Sequence, residues 1–273
     1  MHDNRLDEKG INRAKSLARD KLVEYHKLND VIGAQIFSIL DKEGIILYYP
    51  LEDQQVWGFS ETVQGRSFVC INTSLAYEKQ VFAAAHELYH LWFGKTGDII
   101  TSKDSVEPDE EEGIELLANR FAAEFLINSD LLRQEMQLFG ITDETLDIKD
   151  VVRLANHFVV PYRTMVRRLN EIGMCTPSQY NELFACTDNQ VEIWRNRLGI
   201  SSPVRKDRIG LHGLIDRAME LYERELITYE KLEYLLGFAE LTPSNMGVEL
   251  KPSYKPPTDD ELDAIMEDSD ETK

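Results

Sequence analysis

The chain has 273 residues, of which 42% are hydrophobic and 29% charged, a composition that fits one or two ordinary globular domains. Lys and Arg number 30 against 49 Asp and Glu, a formal net charge of −19 that argues against nucleic acid or an anionic membrane as a direct partner. No run approaches the about 18 apolar residues of a membrane-spanning helix, and the first residues lack the apolar core of a secretory signal.

Taken in chain order, residues 5–30 are predicted helical, with Ile11, Ala14, Leu17, Ala18, Leu22 and Tyr25 at helical spacing. The texture changes over 33–72. Short β-rich runs at 44–50, 56–59 and 67–72 are broken by Gly, Pro and Asp. They predict a small sheet of hairpin-connected, mostly antiparallel strands. A helix follows over 75–93, opened by Thr73 or Ser74 as cap and closed at Gly94. The acidic connector 95–111, with its run Glu-Pro-Asp-Glu-Glu-Glu at 107–112, is expected to be a solvated loop. It feeds acidic residues into the next helix start, where the helix dipole favours them.

Further helices are predicted over 112–127, 129–138, 147–157 and 162–172. After Gly173 and Pro177 come 178–198, 210–224 and 228–236, with a break at Ser201, Ser202 and Pro203. From about 242 onward Pro243, Pro252, Pro256, Pro257 and an acidic end predict a flexible tail. The expected organisation is therefore α+β. A domain spans 1–173, a helical region 174–241, and a tail 242–273. Cys70, Cys175 and Cys186 are an odd set at unrelated spacings. They form neither a disulfide framework nor a paired-cysteine zinc site, and a reducing cytoplasm is the expected home.

The strongest chemical signal lies in Ala83-Ala-Ala-His-Glu-Leu-Tyr-His90. Four-residue spacing puts His86 and His90 one turn apart on one helix face, within reach of a single ion. Glu87, beside the first histidine, then stands next to the ion's open position, where it can take a proton from water. Two imidazoles and a carboxylate suit zinc. Small residues, Ala83 and Gly94, lie one turn either side and let a second backbone approach. The third ligand is not a histidine shortly after the motif, as in the extended H-E-x-x-H pattern, since Phe93 and Thr96 occupy the positions where that pattern needs glycine and histidine. Glu115 is the first choice, because it shares a helix face with Ala118, Asn119 and Ala122, and a carboxylate on a close-packing face needs a partner. Glu112 is the alternative. Asn119, one turn after Glu115, can orient a ligand by hydrogen bonding.

Two segments resemble the ImmA/IrrE metallopeptidases. One runs from Phe68-Val-Cys-Ile-Asn through His86-Glu-Leu-Tyr-His90. The other is Glu115-Leu-Leu-Ala-Asn-Arg-Phe-Ala-Ala-Glu-Phe-Leu126. The resemblance spans about 40–172. It implies a zincin-like core, built from a small sheet, the H-E-x-x-H helix and a second ligand helix, followed by a mainly helical C-terminal region. It further implies a zinc-dependent endopeptidase with His86, His90 and Glu115 as metal ligands and Glu87 as the catalytic glutamate. The implied substrate is a helix-turn-helix repressor, whose loss derepresses phage, mobile-element or stress genes. Tyr89 and Leu126-Ile127-Asn128 depart from the family pattern without touching the ligands.

Strand 67–72 is expected to lie along the cleft, where an edge strand can pair with an extended substrate. Tyr89 and His157 are expected to pack. Residues 148–172 also look like a helix-turn-helix, with Arg163, Arg167 and Arg168 able to meet phosphates. The competing readings are therefore a DNA-binding regulator and a non-catalytic protein that binds a repressor or toxin partner.

Overall fold

The first helix, α1 (Glu8–Glu24), opens where the Asp7 carboxylate accepts from the Gly10 amide at 2.7 Å. It buries Ala14, Ala18 and Leu22 at four-residue spacing. It ends well short of residue 30, because His26 takes a left-handed backbone at φ 55°. The computed structural model describes residues 6–63, 66–94, 108–201, 210–239 and 241–249. Most of the acidic connector and most of the tail lie outside those residues.

A short helix, α2 (Ile36–Glu43), follows where the sequence suggested only sheet. It has no side-chain cap, and forms because Ile36, Phe37, Ile39 and Leu40 are buried together. Gly33, just before it, has φ +44°, and a Cβ there would lie 3.0 Å from the Val159 side chain. Only glycine accepts both conditions cheaply.

The sheet comprises β1 (Ile45–Tyr49), β2 (Gly58–Val63), β3 (Arg66–Asn72) and β4 (Gly210–His212), in the order β2-β3-β1-β4. β2 and β3 pair antiparallel, as the hairpin pattern predicts. β1 and β3 run parallel, with Ile46 opposite Val69 and Tyr48 opposite Ile71. The all-hairpin expectation fails here because the chain after β1 crosses to the far side of β3 before forming β2. One face of this ladder, Ile46, Tyr48, Val69 and Ile71, is buried, and Phe37 of α2 meets Tyr48 edge-on at 5.8 Å. β3 sits between β2 and β1, so the expected free edge on 67–72 does not exist. Among the described residues the edges are β2 and β4, and β2 is the one beside β3.

The histidine helix, α3 (Tyr77–Phe93), starts later than expected, with Ala76 at its cap and no side-chain cap bond. Ser74 does not cap it because its hydroxyl donates to the Leu51 carbonyl and binds Asn72. Across α3 lies α4 (Pro108–Leu126). Their seam is aromatic: Tyr89, Trp92 and Phe93 meet Phe121 at 5.5, 6.0 and 5.6 Å between ring centres. Ala118 and Ala122 are fully buried beside it, and α1 packs along α4.

Four helices continue the first unit: α5 (Ser129–Leu138), α6 (Ile148–Phe158), α7 (Tyr162–Glu171) and α8 (Pro177–Phe184). Next comes α9 (Asp188–Arg197), separated from α8 because Thr187 opens a fresh capping box with Gln190. Leu183 and Val191 join the same buried core as the sheet and α3, although both lie past residue 173. β4 occupies 210–212, where a helix start was expected, because it pairs antiparallel with β1. The chain divides into two units, Met1–Asp216 and Arg217–Lys273. The second holds most of α10 (Leu214–Glu223) and all of α11 (Tyr229–Gly237), in which Leu232 and Leu236 are buried.

Asn72, at the end of β3, is fully buried. Its carbonyl oxygen accepts from the amides of Leu51 and Ser74 at 3.0 and 3.1 Å. Its amide nitrogen donates to the carbonyls of Asp53 and Val56 at 3.1 and 2.8 Å. One side chain thus folds the loop that delivers β2. Asn72→Ala is expected to cost about 3 kcal/mol in urea denaturation; a loss below about 1 kcal/mol would show that water replaces the amide.

Candidate metal centre

Residues 81–93 of α3 turn three faces to three different surroundings. Val81, Ala84, Ala85 and Leu88 are buried in the core, whereas His86 and His90 are half-buried. The two rings lie 4.9 Å apart between centres, and their Nε2 atoms are 3.1 Å apart. From α4, Glu115 places one oxygen 3.1 Å from His86 Nε2 and the other 3.3 Å from His90 Nε2. Among the described residues these three form the group that could hold a metal ion, with all donor atoms within 4.8 Å of one another.

Asn119, one turn along α4, sets the orientation of the first ring. Its side-chain oxygen lies 3.0 Å from His86 Nδ1. An amide oxygen accepts, so Nδ1 carries a proton and donates to it, which turns Nε2 toward His90 and Glu115. Hydrogen bonds from His86 and then His90 hold the Glu115 carboxyl well below the usual carboxylate range. Burial acts to lower the His86 pKa, but Glu115, Glu87 and Asn119 together outweigh it and the net shift is upward. The pocket therefore favours positive charge. The donor set fits zinc: a tetrahedral ion with bonds of about 2.0–2.1 Å separates its ligands by about 3.3 Å, close to the separations observed here.

Glu87 is 4% exposed. Burial pushes its carboxyl up, while His86, the Ser60 hydroxyl and His90 pull it back. Ser60 belongs to β2, and so does Gly58, where a Cβ would come 3.3 Å from a Glu87 oxygen and 3.0 Å from the Cys70 carbonyl. The glutamate thus lies between the histidine helix and the sheet edge. Neither Ser60 nor Gly58 was picked out from the sequence. The available signal was a glycine inside a strand-like run, which marks close approach of another group.

Residues 41–170 match the family model described as the IrrE N-terminal-like domain, a peptidase family. The segment is an IrrE N-terminal-like domain. A comparison with curated proteins finds no match.

In this IrrE N-terminal-like domain the other candidate residues fall elsewhere. The side chain of Glu112, the alternative carboxylate, lies outside the described residues. Tyr89 is 4% exposed and packs on Phe93 and Phe121. His157 lies 3.0 Å from Glu135 and edge-on to Phe139, remote in sequence from both ligand helices. The arginines of α7 divide: Arg163 and Arg167 stack over the Phe184 ring at 5.6 and 5.2 Å, whereas Arg168 is 1% exposed. Arg168 is therefore not available to a phosphate. Among the described residues, no helix is long and apolar enough to cross a membrane.

Asn119→Ala is expected to weaken zinc binding about tenfold, since partners that orient a metal-bound histidine typically contribute this much. Competition against a chromophoric chelator measures it, and circular dichroism should stay unchanged.

Proposed function

We propose that the chain is a cytoplasmic zinc-dependent endopeptidase. In this reading its substrate is a helix-turn-helix transcriptional repressor, and cleavage derepresses phage, mobile-element or stress genes. His86, His90 and Glu115 hold the zinc, and Asn119 orients His86. A zinc ion there supplies Lewis acidity toward a water molecule and toward a peptide carbonyl.

The observation that carries the hydrolytic reading is the position of Glu87. A purely structural metal site has no use for a buried carboxylate beside its ligands. Here burial raises the Glu87 carboxyl above its ordinary value, which suits a group that must both accept and return a proton. Glu87 takes the proton from the attacking water and delivers it to the leaving nitrogen of the cleaved peptide. Ser60 and the space above Gly58 hold the carboxylate in place between these two events.

β2 is the sheet edge that packs beside α3. Its free backbone groups pair with an extended segment of substrate, which positions the peptide without reading its side chains. The protease part rests on the peptidase family and the donor geometry. The repressor as substrate rests on the resemblance of the motif segments to the ImmA/IrrE proteins.

The decisive experiment compares wild type with Glu87→Gln, both zinc-loaded. Each is incubated with the helix-turn-helix protein encoded beside this gene, and fragments are read by mass spectrometry. Wild type is expected to yield two fragments, and Glu87→Gln to keep its zinc while slowing cleavage by about 10²–10⁴-fold. If both proteins bind the regulator and leave it intact, the non-catalytic reading replaces this one.

A further inference from the structure

The helix that carries Glu115 is held from two opposite sides. Glu115 and Asn119 face α3. Glu124 lies nine residues after Glu115, which at about 100° per residue is half a turn round the helix. It is 4% exposed and points away from the histidines, toward α7. There it meets Arg168. One guanidinium nitrogen of Arg168 donates to Glu124 Oε1 at 3.0 Å and the other to Oε2 at 2.8 Å. Its remaining N–H groups reach the Ile127 carbonyl, the Ser129 hydroxyl and the Glu171 carboxylate. Arg120, also on α4, closes the group by binding Glu124 at 2.6 Å and Glu171 at 2.7 Å. Two arginines face two glutamates, so the buried cluster is neutral.

Such a cluster is a poor source of stability. Desolvating the ions offsets most of their attraction, and apolar side chains of the same size often do as well. What it provides is direction. A forked, bidentate pair is satisfied at one geometry, whereas the aromatic seam between α3 and α4 tolerates small rotations of rings over rings. Rotating α4 by roughly 20° would move an oxygen about 6 Å from its axis by about 2 Å. Metal ligands tolerate about 0.2 Å.

We propose that Arg168, through Glu124, is a positioning residue for the metal centre: it fixes the rotational setting of α4 and so places Glu115 against His86 and His90. The inference rests on the metal reading above and adds to it a determinant on a third helix. Arg168 touches neither the ligands nor Glu87; it acts through the helix.

The test uses the full-length chain and cobalt(II) as probe, because its visible absorption reports four-coordinate geometry as well as affinity. In the double variant Glu124→Leu/Arg168→Met the pair is removed with charge balance kept, since Arg120 and Glu171 still face each other. Cooperative thermal unfolding is expected to persist near the wild-type temperature. Cobalt affinity should fall at least about tenfold, with a weaker visible band. Wild-type affinity and spectrum in that variant would overturn the proposal, because a merely structural cluster would shift melting and leave the metal untouched. If the double variant does not unfold cooperatively, Arg168→Lys serves instead. It keeps the charge and loses the fork, so the same drop in affinity is expected and an unchanged affinity overturns the proposal. A wild-type chain that binds no cobalt overturns the metal reading and this inference with it. Wild-type binding with unaltered variants overturns this inference alone.

Discussion

The seam between α3 and α4 is the contact on which the rest depends. It brings a carboxylate and two imidazoles within 3.3 Å of one another, an arrangement that costs free energy unless charge is matched. Two features make the approach possible. Ala118 and Ala122 remove side-chain bulk on α4, and the rings of Tyr89, Trp92, Phe93, Phe121 and Phe125 supply apolar area along the seam. The polar donors occupy one end of the seam and the aromatic cluster the other. The sheet closes the opposite side of α3, where Gly58 and Ser60 border Glu87. The one helix α3 therefore meets α4, the β2 edge beside Glu87 and the core at once.

What the amino-acid sequence disclosed follows the range of the forces involved. His86 and His90 were legible because a four-residue spacing is a property of one helix. Glu115 was legible because a carboxylate among alanines is anomalous on any helix face. The bond between Asn119 and His86 extended that logic by one turn. Ser60 and Gly58 were not legible, since their relation to Glu87 exists only once β2 is placed beside α3. The same holds for β4, three residues long, which is a strand only because β1 offers it an edge. It holds too for α2, whose short apolar run fits either a strand or a helix until its burial decides. The parallel pairing of β1 with β3 depends on where the intervening loop goes. Asn72 settles that by binding backbone groups of Leu51, Asp53 and Val56.

The charge of the chain has a structural counterpart inside it. A protein with a net charge of −19 carries a strong surplus of carboxylates, most of which must remain hydrated. Two that do not are Glu87 and Glu124, each 4% exposed, and they are treated in opposite ways. Glu124 is ion-paired with the guanidinium groups of Arg168 and Arg120. Glu87 has a hydroxyl and imidazoles nearby but no full ion pair among the described residues, and burial raises its proton affinity. One carboxylate is locked into ion pairs, and the other is buried without a full ion pair among the described residues.

The pair α6 and α7 shows why a short helical pattern is a weak guide to its use. Two helices with a tight left-handed turn at Val159, φ 56°, and a following Pro161 have the outline of a DNA-reading motif. That outline follows from packing alone: Val151, Leu154, Ala155 and Phe158 on one helix and Met165, Val166 and Leu169 on the other bury a common face. The distinction lies in where the cations go. A recognition helix must present its arginines outward, yet Arg168 is buried against Glu124 and Ile127. Arg163 and Arg167 are laid over the Phe184 ring of α8. In this chain α7 directs its most buried cation inward to the ligand helix. Through Arg168, α7 thereby ties to α4 on the side opposite the histidines.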